Sequence, residues 1–72
     1  MQKDLLSLIA GKSPAFSKGQ KRIAEYILDH YDKAAFMTAA KLGATVGVSE
    51  STVVRFASIL GFDGYPGVQR GL

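Results

Sequence analysis

Hydrophobic residues recur along this chain at helical spacing, and no stretch alternates long enough to build a β-sheet. The pattern predicts a small all-α domain of five or six helices. A first short helix is expected from Asp4 to Ala10, with Gly11 ending it, and a loop follows from Lys12 to Phe16. A longer helix comes next in the sequence.

A capping box marks the start of that longer helix. Ser17 and Gln20 have the spacing at which each side chain satisfies a free backbone amide of the other. The helix is expected to run to about Tyr31. Phe36 and Met37, in the connector that follows, are expected to join the core. The predicted buried stripe of the helix consists of Ile23, Ala24, Ile27, Leu28 and Tyr31.

The segment from Val46 to Phe62 has the pattern of a turn, a capped helix and a stop. Gly47 supplies the backbone freedom for a sharp turn, and Ser49 is suited to cap the helix after it. Gly61 is suited to end this helix. At about 100° per residue, the helix has one apolar and one polar side. Val53, Phe56, Ala57 and Leu60 are predicted to pack, whereas Ser51, Arg55 and Ser58 should point outward.

A further helix is predicted just before this turn, from Thr38 to Val46, with Thr38 as its cap. Gly43 lies inside it, where glycine costs about 1 kcal/mol relative to alanine. A close crossing of two helices would require such a small residue. Because Gly43, Gly47 and Val53 have the matching spacing, the sequence predicts a helix-turn-helix.

The outward side of the helix after Gly47 is suited to the DNA major groove. Short polar side chains allow close approach, and one arginine can read a guanine edge. A basic cluster at the start of the long helix, formed by Lys18, Lys21 and Arg22, could add phosphate contacts. The candidate DNA-binding residues are Thr38, Ser49, Glu50, Ser51, Thr52, Arg55 and Ser58, with Lys18 and Arg22 from the basic cluster.

Two alternatives remain at this point. The helix could be an ordinary amphipathic surface helix with one solvated arginine. The basic cluster could be a solvated helix face in which Lys21 pairs with Glu25, which is the commoner case. The fold would then serve as a protein-protein interaction module without DNA binding.

Composition narrows the function classes further. The 72 residues allow one small domain, 47% of them are hydrophobic, and the net charge of +3 is compatible with nucleic acid. There is no cysteine and a single histidine, so no metal site or cofactor is expected. No nucleophile with a base or pair of catalytic carboxylates can be assembled, so we expect no enzyme. Without a membrane-length apolar run or signal peptide, a cytoplasmic protein is expected.

The chain ends in a turn between two glycines, followed by Pro66, which is suited to begin a helix from Gly67 to Leu72. A chain that stops one turn into a new helix is expected to be the N-terminal fragment of a longer protein. All of residues 1–72 would then form a single DNA-binding domain.

Three segments carry a resemblance to a known family. Gly-Val-Ser-Glu-Ser-Thr-Val-Val-Arg-Phe at 47–56, Leu-Gly-Phe at 60–62 and Gly-Tyr-Pro at 64–66 resemble the N-terminal DNA-binding domain of the RpiR (MurR-like) family of bacterial transcriptional regulators. The chain departs from the family pattern at Ser58 and Ile59, where many members have Arg or Lys, and at Gly67.

The resemblance implies an all-helical domain that binds double-stranded DNA as a repressor or activator. It implies that a C-terminal SIS domain follows, that this domain binds a phosphorylated sugar effector, and that the full-length protein forms a homodimer or higher homo-oligomer. The genes controlled would serve sugar or amino-sugar metabolism. By position, Ser51, Thr52 and Arg55 would face DNA, and Ser49 would cap the recognition helix.

Overall fold

The computed structural model describes residues 2–72, apart from the side chains of residues 2–4 and 13. This part of the chain folds into six α-helices and one short 3-10 helix, which confirms the all-α prediction. In chain order they are α1 (Gln2–Lys12), the 3-10 helix (Ser13–Ala15), α2 (Lys18–Asp29), α3 (Tyr31–Ala34), α4 (Ala39–Val46), α5 (Glu50–Ile59) and α6 (Tyr65–Gly71).

The capping box predicted at the start of α2 is confirmed. The Ser17 amide donates to Gln20 Oε1 at 2.9 Å, and the Gln20 amide donates to Ser17 Oγ at 3.3 Å. The end of α2 differs from the prediction. His30, at φ −138° and ψ 47°, breaks the helix, so that Tyr31 begins α3 instead of ending α2.

The break at His30 also changes what is buried. Ile23, Ala24 and Ile27 are buried as predicted. Leu28 and Tyr31 were expected on the same stripe, but both are exposed. Tyr31 leaves the stripe because the chain changes direction before it, and Leu28 lies at the edge of the stripe, next to that break.

The connector between α3 and α4 contains a second correction. Phe36 was expected in the core, but its side chain is 91% exposed, whereas Met37 is half-buried against the core. The carbonyls on either side of Phe36 accept hydrogen bonds from Gln69 Nε2, at 3.2 Å for Ala35 and 2.6 Å for Met37. These bonds hold the connector backbone against α6 and leave the Phe36 ring outside.

Three predicted boundaries also shift. Gly11 does not end α1, because the helix continues to Lys12. The loop expected before Phe16 contains the 3-10 helix. The last helix begins at Tyr65, so Pro66 occupies its second position instead of its first. An early helix position tolerates proline because the amide there has no partner within the helix.

The core of the domain draws on every helix. Phe56 of α5 is fully buried, and its ring centroid lies 5.0 Å from that of Phe16. Tyr65 is buried and donates its hydroxyl to the Ala34 carbonyl at 2.7 Å, joining α6 to α3. Burial, with a smaller contribution from Tyr26, raises the pKa of Tyr65 to about 12, so this phenol remains a neutral donor. The buried apolar residues are Leu5, Ile9, Phe16, Ile23, Ala24, Ile27, Ala34, Leu42, Val53, Phe56, Ala57, Leu60, Tyr65, Val68 and Leu72.

Within residues 2–72, no helix has the length and apolar character that crossing a membrane requires.

Candidate nucleic-acid interface

The turn between α4 and α5 depends on two glycines, as predicted. Gly47 has φ 83°, in the left-handed region that glycine adopts most readily. The amides of Gly47 and Val48 both donate to the Gly43 carbonyl at 2.8 Å, which ends α4. A Cβ at Gly43 would lie 2.8 Å from the Val48 carbonyl oxygen, so the close approach inferred from the sequence is confirmed.

Both helices of this helix-turn-helix begin at the predicted caps. Ser49 Oγ accepts from the Thr52 amide at 3.2 Å, and Thr38 Oγ1 accepts from the Lys41 amide at 3.1 Å. The Ser49 and Thr52 hydroxyl oxygens are 3.0 Å apart and share a hydrogen bond. Two of the candidate site residues, Thr38 and Ser49, therefore use their hydroxyl oxygens as N-caps of helices.

The prediction that Gly61 ends α5 is confirmed as well. Gly61 has φ 93°, and its amide donates to the Ser58 carbonyl at 2.9 Å. The Phe62 amide donates to the Ala57 carbonyl at 3.0 Å. This pair of bonds around a left-handed glycine is the Schellman motif, which satisfies the last carbonyls of a helix.

The two sides of α5 are divided as the periodicity predicts. All four residues of the apolar stripe are buried, while Ser51, Arg55 and Ser58 are exposed. Thr52 is half-buried, at the border between the two sides. In the described part of the chain, the Arg55 side chain makes no hydrogen bond or ion pair, so its guanidinium is available to an outside acceptor.

The first turn of α2 lies against the start of α5. A Cβ at Gly19 would stand 3.3 Å from Val48 Cγ1 and 3.4 Å from Thr52 Cγ2. Arg22 Nη1 lies 3.9 Å from where a Cβ would stand at Gly47. The Arg22 guanidinium is therefore beside the turn of the helix-turn-helix, and Lys18, one helical turn before it, is on the same side of α2.

Lys21 belongs to a different surface. It is two residues from Gly19, and residues with that spacing lie on opposite sides of a helix. The alternative for the basic cluster was that Lys21 pairs with Glu25, but no ion pair joins these two residues, both of which the structure describes. Arg22 is thus beside the turn and Lys21 is on the side of α2 away from Gly19, with Lys18 between the two around the helix.

The structure brings most of the candidate residues together. Ser49 caps α5, and its first turns carry Glu50, Ser51, Thr52 and Arg55, with Lys18 and Arg22 alongside on α2. Ser58 is about one turn beyond Arg55. Thr38 is separate, because it caps the far end of the eight-residue α4, about 12 Å from the turn at ~1.5 Å per residue.

Two residues of this surface, Gly19 and Val54, were not among the candidate site residues. Gly19, in the first turn of α2, permits the contact with α5, and a glycine inside a helix was the available signal, as at Gly43. Val54 is apolar yet 40% exposed, and it lines a shallow depression of about 380 Å³ together with Glu50, Ser51 and Arg55. No group of three potential metal-ligating His, Asp or Glu residues occurs among the described side chains.

Comparisons with known proteins agree with this geometry. The helix-turn-helix domain of the rpiR family matches residues 3–71. The HTH-type transcriptional regulator HexR of Pseudomonas aeruginosa is 36% identical over 64 residues, which make up 89% of this chain and 22% of HexR. The uncharacterized HTH-type transcriptional regulator YfhH of Escherichia coli (strain K12) is 36% identical over 56 residues, 78% of this chain and 20% of YfhH. The chain thus spans about a fifth of the length of these relatives.

A solved structure has the same fold. The crystal structure of the N-terminal domain of ybbH from Bacillus subtilis subsp. subtilis str. 168 superposes with a TM-score of 0.86 at 26% sequence identity. The match covers 92% of this chain and 80% of that one. With nearly all of its residues matched and the helix-turn-helix in place, the chain belongs to the rpiR family of helix-turn-helix domains.

Proposed function

We propose that this domain binds double-stranded DNA by placing α5 in the major groove, as the DNA-reading part of a transcriptional regulator. The observation that carries the proposal is the exposed polar side of α5, on which Arg55 has no partner in the described structure. A helix-turn-helix presents the N-terminal residues of its second helix to base edges in this way.

Each residue type on α5 suits that role. The guanidinium of Arg55 can donate two parallel hydrogen bonds to the O6 and N7 atoms of guanine. Ser51 and Thr52 are short, so they allow the helix to approach the floor of the groove, and their hydroxyls can donate or accept. Glu50 can accept from the amino group of cytosine. Ser58 is exposed further along the helix and can reach the groove wall.

Lys18 and Arg22 would bind the phosphates that flank the groove. Phosphate contacts hold a protein in register on the duplex, and base contacts then give specificity. Since Arg22 is beside Gly47, a phosphate bound there would lie next to the N-terminal end of α5, where the helix dipole is also favourable to an anion.

The longer protein is proposed to be a dimer controlled by a sugar phosphate. The matched relatives are about four times as long as this chain, and HexR is named as a regulator, so an additional portion can supply a dimer contact and an effector site. A sugar-phosphate-binding SIS domain following residue 72 would fit the family resemblance. Two copies on a palindrome would place their α5 helices about 34 Å apart, one turn of B-DNA.

One observation favours a second candidate function. The ring of Phe36 is 91% exposed, outside the proposed DNA surface, and such a side chain can anchor a protein partner. The domain would then act as a protein-protein interaction module, and binding would depend little on salt.

Replacing Arg55 by alanine tests the proposed function. We expect operator affinity to fall by about 1–3 kcal/mol, because the bidentate contact to guanine is lost. The melting temperature should stay the same, since the side chain is exposed. Fluorescence anisotropy with a duplex selected from a random pool would measure the affinity.

Arg55→Lys is the matched control for this change. Lysine keeps the charge but lacks the planar fork, so it should lose specificity for guanine and retain binding to unrelated duplexes. If Arg55→Ala bound the selected duplex as tightly as the unchanged domain, Arg55 would have no role in recognition.

Replacing Arg22 by alanine should reduce the salt dependence of binding. One phosphate contact contributes about 1 to the slope of log affinity against log salt, so that the slope should become shallower by about that amount. Lys21→Ala removes the same charge from a position ~100° around α2 from Arg22, facing away from α5, and should leave the slope unchanged. Equal effects of the two variants would show that Arg22 acts only through net charge.

A further inference from the structure

We propose that Val54 contacts the 5-methyl group of a thymine, and that the domain therefore selects a thymine within about two base pairs of the guanine read by Arg55. The inference rests on the proposed function, since it requires α5 to lie in the major groove. It assigns a base-selecting role to an apolar residue on an otherwise polar surface.

The position of Val54 is what requires an explanation. Its side chain is 40% exposed on the outward half of α5, and it does not belong to the apolar core or to the residues packed against that core. Valine is also a weaker helix former than alanine or the long straight side chains. Neither core packing nor helix stability therefore accounts for valine at this position.

The neighbours of Val54 make its exposed methyl groups part of the proposed reading surface. Val54 lines the same shallow depression as Ser51, one turn before it, and Arg55, the next residue. The depression is open to solvent, so a methyl group from outside can reach the valine side chain. An apolar group of DNA that enters this depression would therefore contact Val54, while the other lining side chains are polar.

Only one of the four bases offers an apolar group in the major groove. Thymine presents its C5-methyl there, whereas the edges of adenine, guanine and cytosine present hydrogen-bond donors and acceptors. Valine has two methyl groups and no hydrogen-bonding atom, so the contact that it can gain from the groove is with thymine.

The spacing along the helix limits where this thymine can be. Consecutive Cα atoms are ~3.8 Å apart, and successive bases of one strand are separated by ~3.4 Å. Since Val54 and Arg55 are adjacent, the bases that they reach should be neighbours or be separated by a single base pair.

The experiment removes the methyl group alone. The 72-residue chain is used to enrich duplexes from a randomised pool at low salt, and each thymine of the enriched duplex is then replaced by uracil, one at a time. Fluorescence anisotropy gives the affinity of each duplex for the unchanged domain, for Val54→Ala and for Leu28→Ala, which shortens an exposed aliphatic side chain on α2. Circular dichroism confirms that each variant is folded, and Val54→Thr, which keeps the branched shape, serves as a second variant.

We expect one thymine, next to a guanine or separated from it by one base pair, at which uracil lowers the affinity of the unchanged domain by about four-fold. This is the effect of one buried methyl group. Uracil at this position should not change the affinity of Val54→Ala and should lower that of Val54→Thr by less. It should lower the affinity of Leu28→Ala by as much as that of the unchanged domain, because Leu28 is on α2, outside the proposed DNA surface.

Two results would overturn the inference alone: an enriched duplex without such a thymine, or uracil effects of equal size in the unchanged domain and in Val54→Ala. Failure to enrich or bind any duplex would overturn the proposed function, and this inference with it.

Discussion

Replacing Phe56 by alanine is expected to lower the free energy of unfolding by about 3–5 kcal/mol, a large share of the stability of the domain. The Phe56 ring is fully buried on α5 and packs against Phe16 at a centroid distance of 5.0 Å. Its removal would leave a cavity between α5 and the segment before α2. A domain of 72 residues has roughly 4–10 kcal/mol of stability in total, at ~0.05–0.15 kcal/mol per residue.

Phe36→Ala provides the matched control, because it deletes the same side chain from a surface position. With the Phe36 ring 91% exposed, the free energy of unfolding should change by no more than about 0.5 kcal/mol. Thermal and urea unfolding, followed by circular dichroism, would measure both variants. A stable Phe56→Ala variant would mean that α5 does not pack in the register described.

Replacing Gly43 by leucine should cost about 3 kcal/mol or more, because it overpacks the crossing of α4 and α5. A Cβ at Gly43 would stand 2.8 Å from the carbonyl oxygen of Val48 and 3.3 Å from the carbonyl carbon of Ser49. Both neighbours are backbone atoms of the turn, so they cannot move aside as a flexible side chain could. The turn would have to open, and the two helices of the helix-turn-helix would separate.

Gly11→Leu tests whether the loss arises from this contact or from the substitution itself. Gly11 also lies within a helix, but a Cβ there would meet nothing within 4 Å. Leucine is a better helix former than glycine, so this variant should be unchanged or more stable by up to about 0.8 kcal/mol. Similar losses in the two variants, measured by urea unfolding, would contradict the tight crossing.

The helix-turn-helix could be predicted from the sequence because its signals are local. The caps at Ser17, Thr38 and Ser49 each act on an amide three residues away. The spacing of Gly43 and Gly47 reflects contacts within a single turn of chain. Local rules of this kind depend on nearby residue types alone, and all of these predictions are confirmed.

The predictions that were wrong concern one contact between distant residues and the end of one helix. Phe36 is exposed because Gln69, more than 30 residues later, binds the carbonyls beside it. Leu28 and Tyr31 were expected on the apolar stripe, but α2 ends at Asp29, so Tyr31 leaves the stripe, and Leu28 lies at its exposed edge. Apolar periodicity identifies a helical stripe, but it does not show at which residue the helix ends.

The candidate site divides in the same way. Arg55 and its polar neighbours on α5 could be identified from the helical period and the cap. The nearness of Arg22 to the turn could not, because it depends on how α2 packs against α5, through the contact at Gly19. Their roles in DNA binding remain predictions.

DNA is proposed to bind across the first turns of α5 and the adjacent first turn of α2. Titrating the isotope-labelled domain with the selected duplex, and following its amide signals by NMR, tests this most directly. We predict the largest shift changes from Ser49 to Ser58 and from Lys18 to Arg22, with small changes along α1. Changes centred on Phe36 and α3, or no change with excess duplex at low salt, would contradict the account.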